Sequence, residues 1–451
     1  MRTHRCDVLI VGAGPAGAHL ASLLGRAGFS VILVDKNLEG ETGARWVNGI
    51  PLWVFAEAGL EKPEIHEVHT AGSRFTLIDP THQARVSISV PFLLDVDMRS
   101  FGDRLVSRAQ ASPGVRVMLG KAIKGFEFDH HGRPLRAFSQ TDSFEAELMV
   151  DVSGLSAIIR KGTPFLKELC PPIEPKDLCR AAQEVRAIKD PHGALNFLEK
   201  QNCQSGEILS WVGVAGGYSV LRIQIASDLR TMAFLTGSRA LFGVPSGAKI
   251  IQNFIATHPW VGDKIFGGQR AIPLGRPYAH LVAPGVALVG DSAGQVYASH
   301  GSGIAMGLLA AKILAKHLIQ GATRGDDIGS LSVLWGYAHE FHDTYGPLLA
   351  MSDLNRRFSQ TLSPYEVHQI IASGLLSAGI LRSSLMQQRP EISWRETSNQ
   401  MKALVRAPGL SMRVMWAFSK LPKILWASKQ YPSEPDLPKA LAYERRLAGL
   451  L

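Results

Sequence analysis

The amino-acid sequence predicts an α/β fold: a parallel sheet, an inserted antiparallel sheet and a helical C-terminal region. Short apolar strands and helical stretches alternate through roughly the first third of the chain, which is the pattern of a parallel sheet. Apolar and polar residues then alternate over residues 218–226 and 231–236, which is typical of antiparallel strands with one open face. From about residue 331 the chain is mostly helical and basic, with breaks at prolines.

The parallel sheet is predicted to be discontinuous in sequence. Its strands are expected at residues 7–11, 31–35, 115–119, 147–152 and 286–290. Helices are expected at residues 100–111 and from 303 to about 320. The last strand follows the antiparallel part, so the first domain must be interrupted by a second one. We place the first domain at 1–165 and 281–325, the substrate domain at 166–280 with part of 45–95, and the C-terminal region at 326–451.

Composition is that of a globular protein with a large core. The 451 residues are 46% hydrophobic and 19% charged, with a net charge of +9 at pH 7. The four cysteines show no paired or metal-type spacing, so we interpret them as free thiols of a cytoplasmic protein. The first strand begins so early that we expect no export signal. No run approaches the roughly 20 apolar residues of a membrane-spanning helix.

A glycine-rich segment follows the first strand and reads Val8-Leu-Ile-Val-Gly12-Ala-Gly14-Pro-Ala-Gly17. Gly12 permits a tight turn, Gly14 lets the backbone approach a pyrophosphate, and Gly17 lets the helix pack on the strand. The helix N-terminus would stabilise the phosphates. The next strand ends at Asp35, at the spacing where a carboxylate holds the hydroxyls of an adenosine ribose and repels a 2′-phosphate. These features predict a Rossmann-type dinucleotide site that disfavours NADP.

A second segment leads back to the same sheet and reads Val286-Ala-Leu-Val-Gly290-Asp291-Ser-Ala-Gly294-Gln-Val-Tyr-Ala-Ser-His300-Gly-Ser-Gly303-Ile304. We expect a buried strand to deliver Asp291 to the sheet edge, where its carboxylate can accept a hydrogen bond from a ribityl hydroxyl. A glycine-rich turn then opens a helix at about Gly303, whose N-terminus can stabilise negative charge on a reduced flavin. Both features indicate that the Rossmann-type domain binds FAD.

The motifs resemble those of the flavoprotein superfamily that contains geranylgeranyl reductases, flavin-dependent halogenases and aromatic-ring monooxygenases. The resemblance covers roughly residues 6–320 and includes a third motif, Asp151-Val-Ser-Gly154-Leu-Ser156-Ala-Ile-Ile-Arg160, which is similar to the form in the reductase and halogenase branch. By the resemblance, Arg45 and Arg99 would line the FAD and Ala122 would contact the adenine through its backbone. Solvated surface is the alternative for both arginines. With the segments above, the predicted cofactor-binding residues are Gly12, Gly14, Ala16, Gly17, Asp35, Lys36, Arg45, Arg99, Ala122, Asp291, Gly303 and Ile304.

The resemblance implies an FAD-dependent oxidoreductase that uses reduced flavin on a hydrophobic small molecule. Reduction of carbon–carbon double bonds in an isoprenoid or polyketide-like substrate is the leading interpretation. The alternatives are a monooxygenase, a halogenase, and a non-redox protein that uses the same fold. Residues 40–45 and 218–222 differ from the matching segments of geranylgeranyl reductases. No second dinucleotide motif follows a strand, so electrons would come from transiently bound NAD(P)H or from a partner protein.

The reaction also needs a proton-transfer residue near the flavin. His300 is the first candidate, since it lies in the turn that should face the ring and histidine titrates near neutral pH. Tyr297 is the second candidate. Capping of the glycine-rich turn is the alternative role of His300. The histidine pairs at 66/69 and 339/342 lack a third ligand at metal spacing, so we expect no metal.

The C-terminal region contains a basic amphipathic segment. Between Glu396 and Glu434 there is no acidic residue, and the basic residues are Lys402, Arg406, Arg413, Lys420, Lys423 and Lys429. One helical stripe is apolar and consists of Leu410, Val414, Ala417, Phe418, Leu421 and Leu425. The pattern fits peripheral contact with the inner face of an anionic membrane, or packing of the stripe on the protein itself. Nucleic-acid binding is not expected, because no stacking aromatics accompany a basic patch.

Overall fold

The computed structural model describes residues 1–71, 73–390, 404 and 408–451. Its mixture of a parallel sheet, antiparallel sheets and C-terminal helices confirms the predicted fold class. Among the residues so described, the strands form three sheets. The first contains the glycine-rich segment and the segment around Asp291, and the other two lie in the inserted part of the chain.

The first sheet is built around five parallel strands. In spatial order its main path is Val282–Ala283, Val286–Leu288, Asp142–Asp151, Arg2–Val11, Val31–Val34 and Val115–Met118. Val282–Ala283 pairs antiparallel at the edge, and the antiparallel hairpin Gly125–Phe128 and Pro134–Phe138 joins Asp142–Asp151. The apolar runs predicted as strands are therefore confirmed, and in the central strands Val8, Leu9 and Ile10 are fully buried.

The register aligns the carboxyl ends of the parallel strands. Val11 pairs with Val34 on one side and with Asp151 on the other. Val34 in turn pairs with Met118, and Asp151 pairs with Leu288. The residues that follow these strands therefore meet at one edge, which is where ligands bind in open α/β sheets. All three sequence motifs follow strands of this set.

Helices cover the first sheet and begin at its carboxyl edge. Helix Pro15–Arg26 packs against Met98–Gln110 and against Ile304–Arg324. The predicted helix at 100–111 begins slightly earlier because the Asp97 side chain accepts a hydrogen bond from the Arg99 N–H and caps it. Helix Ile304–Arg324 is long and apolar enough to cross a bilayer, but 61% of its most apolar window is buried inside the protein. Its burial is that of a core helix.

The second sheet has seven strands within the described part of the chain. Neighbouring strands are antiparallel except for Ile208–Val212 and Arg74–Ile78, which are parallel. In spatial order they are Val261–Pro273, Leu178–Ile188, Thr231–Arg239, Ser219–Ile225, Ile208–Val212, Arg74–Ile78 and Arg85–Ser89. Helices Pro191–Lys200 and Gly247–Thr257 cover one face of this sheet, which is the face that carries Leu209 and Trp211. The neighbouring residues Ile208 and Val212 point to the other face, which the C-terminal helices cover. A small third sheet contains Val47–Pro51, Leu93–Asp97 and Val68–Ala71.

The C-terminal region is helical, as the sequence predicted. Its described helices are Leu331–Gln360, Pro364–Ser373, Ala378–Leu385, Pro408–Ser419, Leu421–Ser428 and Leu437–Leu450. Pro364 and Pro422 lie in the first turn of their helices, where the missing N–H is not needed. Shorter helices elsewhere are Leu52–Ala58, Ile158–Gly162 and Pro164–Leu169. The predicted break at Pro390 borders residues 391–403, and that stretch lies outside the described residues.

Candidate functional site

The glycine-rich turn packs so tightly that Gly12 and Gly17 cannot carry side chains. Gly12 has a φ of 116°, and a Cβ atom there would lie 2.3 Å from the Val152 carbonyl oxygen. A Cβ atom on Gly17 would lie 2.0 Å from the Gly12 carbonyl oxygen. Gly14 is the N-cap of helix Pro15–Arg26, so the free N–H groups of its first turn lie at the carboxyl edge of the sheet. This arrangement can bind a pyrophosphate through backbone N–H groups.

Asp35 ties the end of the second strand to the same turn. Its carboxylate accepts hydrogen bonds from the Ala13 N–H at 2.7 Å and from the Asn37 N–H at 2.8 Å. Each carboxylate oxygen can accept one more hydrogen bond, for example from a ribose hydroxyl. The contact with an adenosine ribose stays a prediction. Lys36 is exposed beside it. The Lys121 N–H donates to the Asp35 carbonyl at 2.7 Å and brings the segment containing Ala122 to this edge.

Asp151 acts as a buried joint between the motifs. Its side chain accepts hydrogen bonds from the Ser153 N–H at 3.0 Å, the Ser153 hydroxyl at 2.7 Å and the Arg160 N–H at 2.8 Å. Burial raises its pKa, and these hydrogen bonds oppose that rise. The Ser292 hydroxyl donates to the Asp151 carbonyl at 2.7 Å. The third motif is therefore bonded to both neighbours: the Val152 N–H donates to the Val11 carbonyl before the Gly12 turn, and the Asp151 carbonyl accepts from Ser292 in the Asp291 segment.

Asp291 differs from Asp151 in having no such donors. It lies at the carboxyl edge in the one-turn helix Gly290–Ala293, and its burial raises the pKa from 3.8 to about 6. Among the residues that the structure describes, none donates a hydrogen bond to its carboxylate. Solvent still reaches part of this residue. A desolvated acceptor with no protein donor is suited to a ligand hydroxyl, and a ribityl chain supplies such hydroxyls.

Gly303 brings the start of the core helix against this carboxylate. A Cβ atom on Gly303 would lie 2.7 Å from Asp291 Oδ1. Ile304 is the first residue of the helix that follows, so the predicted helix start is confirmed. The loop before it is fixed by long-range contacts: the Tyr218 hydroxyl donates to the Ala298 carbonyl at 2.7 Å, and the Ser299 N–H donates to the Ser352 hydroxyl at 2.8 Å. The flavin end of the predicted site is therefore rigidly supported.

His300 has hydrogen bonds at both ring nitrogens. Nε2 lies 2.9 Å from the Ser384 carbonyl, which can only accept, so this nitrogen carries the proton. Nδ1 lies 3.1 Å from the Ser302 hydroxyl. Part of the residue is exposed to solvent. The protein around the ring desolvates it, which lowers its pKa, and the hydrogen bond to the Ser384 carbonyl partly opposes that change. The contacts match the capping alternative, and proton transfer by His300 stays a prediction.

Tyr297 lies beside His300, with ring centroids 4.8 Å apart. It is buried, and desolvation raises the pKa of its hydroxyl, while hydrogen bonds from Ser384 and Ser299 oppose the rise. The phenol is therefore protonated at neutral pH. Ser384, in the C-terminal region, contacts both candidate proton-transfer residues. The sequence carried no signal for this contact, because 84 residues separate Ser384 from His300.

The two predicted arginines lie together but are engaged with carboxylates. Arg45 Nη1 donates to Asp103 at 2.6 Å and to the Arg99 carbonyl at 3.4 Å. Arg99 forms an ion pair with Asp97, with Nη2 at 2.6 Å from Oδ2, and lies 3.5 Å above the Phe266 ring. Both side chains are only partly exposed, so neither is simply solvated surface. Their contact with a cofactor stays a prediction.

The predicted cofactor residues thus fall into two groups. The Gly12 turn, Asp35, Asp291 and Gly303 all lie at the carboxyl edge of one sheet, and they fit FAD because each offers the donor or acceptor that its predicted part requires. Arg45 and Arg99 lie beside the small third sheet and the strand Val261–Pro273. The segment that carries Arg45 also packs on the glycine-rich turn, because a Cβ atom on Gly43 would lie 2.9 Å from the Gly14 Cα atom. Among the described residues there is no group of three or more histidines, cysteines or acids that could hold a metal ion.

Comparisons with known proteins agree with this assignment. A family model described as an FAD binding domain matches residues 5–228. The digeranylgeranylglycerophospholipid reductase of Sulfolobus acidocaldarius is 22% identical over 449 residues, covering 97% of this chain and 95% of the relative. The human mitochondrial ubiquinone biosynthesis monooxygenase is 43% identical over 94 residues, or 20% of each chain. A geranylgeranyl bacteriochlorophyll reductase-like structure from Thermoplasma acidophilum has a TM-score of 0.73 at 16% identity, covering 93% of this chain and 100% of that chain.

The fold and the site together define an FAD-dependent oxidoreductase. Residues 5–228 match an FAD binding domain, and along nearly its whole length the chain is similar to geranylgeranyl reductase-like proteins, as its motifs predicted. The predicted FAD cofactor is confirmed at the level of the family.

Proposed function

We propose that the protein reduces carbon–carbon double bonds in an isoprenoid lipid. The observation that carries this proposal is the match to the digeranylgeranylglycerophospholipid reductase of Sulfolobus acidocaldarius, which extends over 97% of this chain and 95% of that protein. The match includes the inserted sheets and the C-terminal helices as well as the cofactor domain. A shared FAD domain alone would not favour one reaction over another, because one fold hosts many reactions.

The residues of the chain divide the work in this proposal. The Gly12 turn and Asp35 bind the ADP half of FAD, while Asp291, Gly303 and Ile304 hold the ribityl chain and the ring. Bound and reduced, FAD would supply the hydride that the double bond receives. His300 exchanges the accompanying proton with solvent, because the residue is exposed and its ring is hydrogen-bonded at both nitrogens. Tyr297 is a second proton donor, since its hydroxyl is protonated at neutral pH.

The supply of electrons and the location of the protein belong to the same proposal. The sequence has no second dinucleotide motif after a strand, so NAD(P)H binds transiently or a partner protein delivers electrons. The four cysteines are free thiols, which supports a reducing, cytoplasmic environment.

Product mass after anaerobic turnover tests the proposal. The purified FAD protein is reduced with dithionite without oxygen and incubated with a phospholipid that carries unsaturated geranylgeranyl chains. We expect each reduced double bond to gain two hydrogens, and we expect no gain with the Gly12→Ala variant, which should lack FAD. Unchanged lipid after the flavin has been shown to be reduced would contradict double-bond reduction.

Oxygenation is the second candidate function, and one observation favours it. The human ubiquinone biosynthesis monooxygenase shares 43% identity over 94 residues with this chain. The same lipid and an aromatic quinone precursor are therefore incubated with NADPH in air. A product that gains one oxygen, with no hydrogenated product without oxygen, would replace reduction by oxygenation.

A further inference from the structure

Two consecutive C-terminal helices, which we call the rod, lie on the surface of the protein. Helix Pro408–Ser419 is followed after Lys420 by helix Leu421–Ser428. Lys420 keeps helical backbone angles, with φ −78° and ψ −15°, and the Ile424 N–H donates to the Lys420 carbonyl at 2.9 Å. Pro422 falls in the first turn of the second helix, where its missing N–H is not needed. Within the described residues no backbone hydrogen bond joins residues 420–423 to the carbonyls of the first helix, so Lys420 forms a turn between the two helices.

The inner face of the rod packs on the protein. Leu410, Ala417 and Ile424 are between 0% and 8% exposed. The Phe418 ring lies 5.7 Å from the Phe358 ring of the long helix Leu331–Gln360. The apolar stripe that the sequence predicted is thus turned inward for its most buried members, which is the packing alternative of the two readings. Lys402 and Arg406 of the predicted basic segment lie outside the described residues.

The outer face of the rod is also apolar, and this was not predicted. Met412, Met415, Trp416 and Trp426 are 66%, 52%, 71% and 60% exposed. Met412, Met415 and Trp416 are spaced three to four residues apart, which places them along one side of the first helix. Trp426 is exposed on the second helix, together with Pro422 and Lys423. Large apolar side chains that line up on a surface mark an interaction site far more often than scattered ones do.

Basic side chains border these exposed aromatic rings. Lys420 Nζ lies 5.3 Å from the centre of the Trp416 ring, and Arg446 Cζ lies 5.5 Å from the centre of the Trp426 ring. Lys423 is exposed between them in sequence. No acidic residue occurs between Glu396 and Glu434. The outer face therefore combines tryptophan and methionine with positive charge and without intervening negative charge.

We propose that this outer face, made of Met412, Met415, Trp416, Lys420, Lys423 and Trp426, docks on the surface of a membrane that contains anionic lipids. Tryptophan suits the boundary between lipid headgroups and acyl chains because one part of its ring system is apolar and its N–H is polar. Lysine and arginine beside it are attracted to anionic headgroups. A helix that lies flat in this boundary needs one exposed apolar side with flanking basic residues, and the rod has both.

The charge pattern favours a lipid surface over a protein partner or a second copy. A protein interface of this size would place its aromatic residues in a centre depleted of charge, whereas here each exposed tryptophan has a cation on its ring. The inference goes beyond the proposed reaction and does not depend on it. Docking would bring a lipid-bound substrate to the enzyme whatever change the flavin makes to it.

Vesicle co-sedimentation of the full-length FAD protein tests the docking surface. Vesicles of phosphatidylcholine mixed with phosphatidylglycerol are compared with vesicles of phosphatidylcholine alone. We expect binding to the anionic vesicles that weakens with salt. The double variant Trp416→Ser with Trp426→Ser should bind at least about tenfold more weakly, because two large side chains no longer enter the interface. The double variant Lys420→Glu with Lys423→Glu should bind anionic vesicles about fivefold or more weakly for each charge that is changed, and its binding to phosphatidylcholine vesicles should not change.

Matched controls come from exposed residues elsewhere on the protein. Phe242 is fully exposed in the inserted part of the chain, and Lys189 is exposed there as well. Phe242→Ser and Lys189→Glu should bind vesicles as the unmodified protein does, and all variants should keep their FAD absorbance and melting temperature. Absence of vesicle binding by the unmodified protein, or equal binding by the tryptophan variant, would overturn the proposal. So would tryptophan variants that abolish self-association in sedimentation velocity while leaving vesicle binding unchanged.

Discussion

Replacing Asp291 with asparagine should make the FAD-free protein more stable and its FAD complex weaker. Burial raises the pKa of this carboxyl from 3.8 to about 6, with no donor to offset the desolvation. At about 1.36 kcal/mol per pKa unit, the ionised carboxylate costs the folded FAD-free protein about 3 kcal/mol at neutral pH. Asparagine has nearly the same shape and carries no charge, so it removes most of this cost.

The size of the effect depends on pH. A carboxyl whose pKa is raised by folding favours the folded state below the unfolded pKa of 3.8, and this advantage is lost as the pH rises toward 6. The free-energy gain from Asp291→Asn should therefore be about 3 kcal/mol near pH 7.5 and about 0.5 kcal/mol near pH 4.

FAD binding should change in the opposite direction. A ribityl hydroxyl that donates to a carboxylate forms a charge-assisted hydrogen bond worth about 1.5–3 kcal/mol, and the amide forms a weaker one. The variant should therefore bind FAD about tenfold to hundredfold more weakly at neutral pH. In the unmodified protein, FAD affinity should rise between about pH 5 and pH 7, as the Asp291 carboxylate becomes available to accept.

Urea unfolding of the FAD-free protein at two pH values and FAD titration by fluorescence measure both effects. Asp151→Asn is the matched control, because that carboxylate already accepts three hydrogen bonds and its loss should destabilise the protein at neutral pH by about 1–3 kcal/mol. An Asp291→Asn protein that is less stable without FAD, or that keeps the original FAD affinity, would refute the interpretation of Asp291 as an acceptor left free for the cofactor.

Three further substitutions probe the same edge of the sheet. Gly303→Ala places a methyl group 2.7 Å from Asp291 Oδ1 and should weaken FAD binding about tenfold in a fluorescence titration; Gly449→Ala, where nothing lies within 4 Å, should leave binding unchanged. Gly12→Ala requires a φ of 116° and meets a carbonyl at 2.3 Å, so the purified protein should lack flavin absorbance while circular dichroism still reports its helices. His300→Gln should lower turnover about hundredfold or more if this residue moves the proton, with FAD content unchanged; turnover equal to that of the unmodified protein would assign His300 to capping alone.

The cofactor half of the site could be predicted because its signals are local. The Gly12 turn and the Asp291 segment each pair an apolar strand with a glycine-rich helix start within about 20 residues, and parallel strand ends must meet at one edge. The predicted strands and the helix starting at Ile304 followed from the same short-range patterns. The role of Asp35 was only partly foreseen, since its hydrogen bonds to Ala13 and Asn37 also fix the turn.

The remaining contacts depend on residues far apart in the chain. The Trp53 indole donates to the Met386 carbonyl across 333 positions, and His300 contacts Ser384 across 84. No periodicity or spacing reports such pairs, because they are decided by how the C-terminal helices pack on the second sheet. The outer face of the rod was missed for a related reason. Sequence alone identified an apolar stripe but could not tell which side of the helix would be turned inward.

The contacts at Ser384 and Met386 both use main-chain carbonyls. A carbonyl is present whatever the side chain, so the path of the backbone holds His300 and Trp53, and the identity of the residues there does not. The side chain at position 386 is therefore free to vary without releasing Trp53, whereas the Ser384 side chain also contacts Tyr297. A substitution at position 386 should leave the Trp53 contact in place, while one at position 384 removes a hydrogen bond from the Tyr297 hydroxyl.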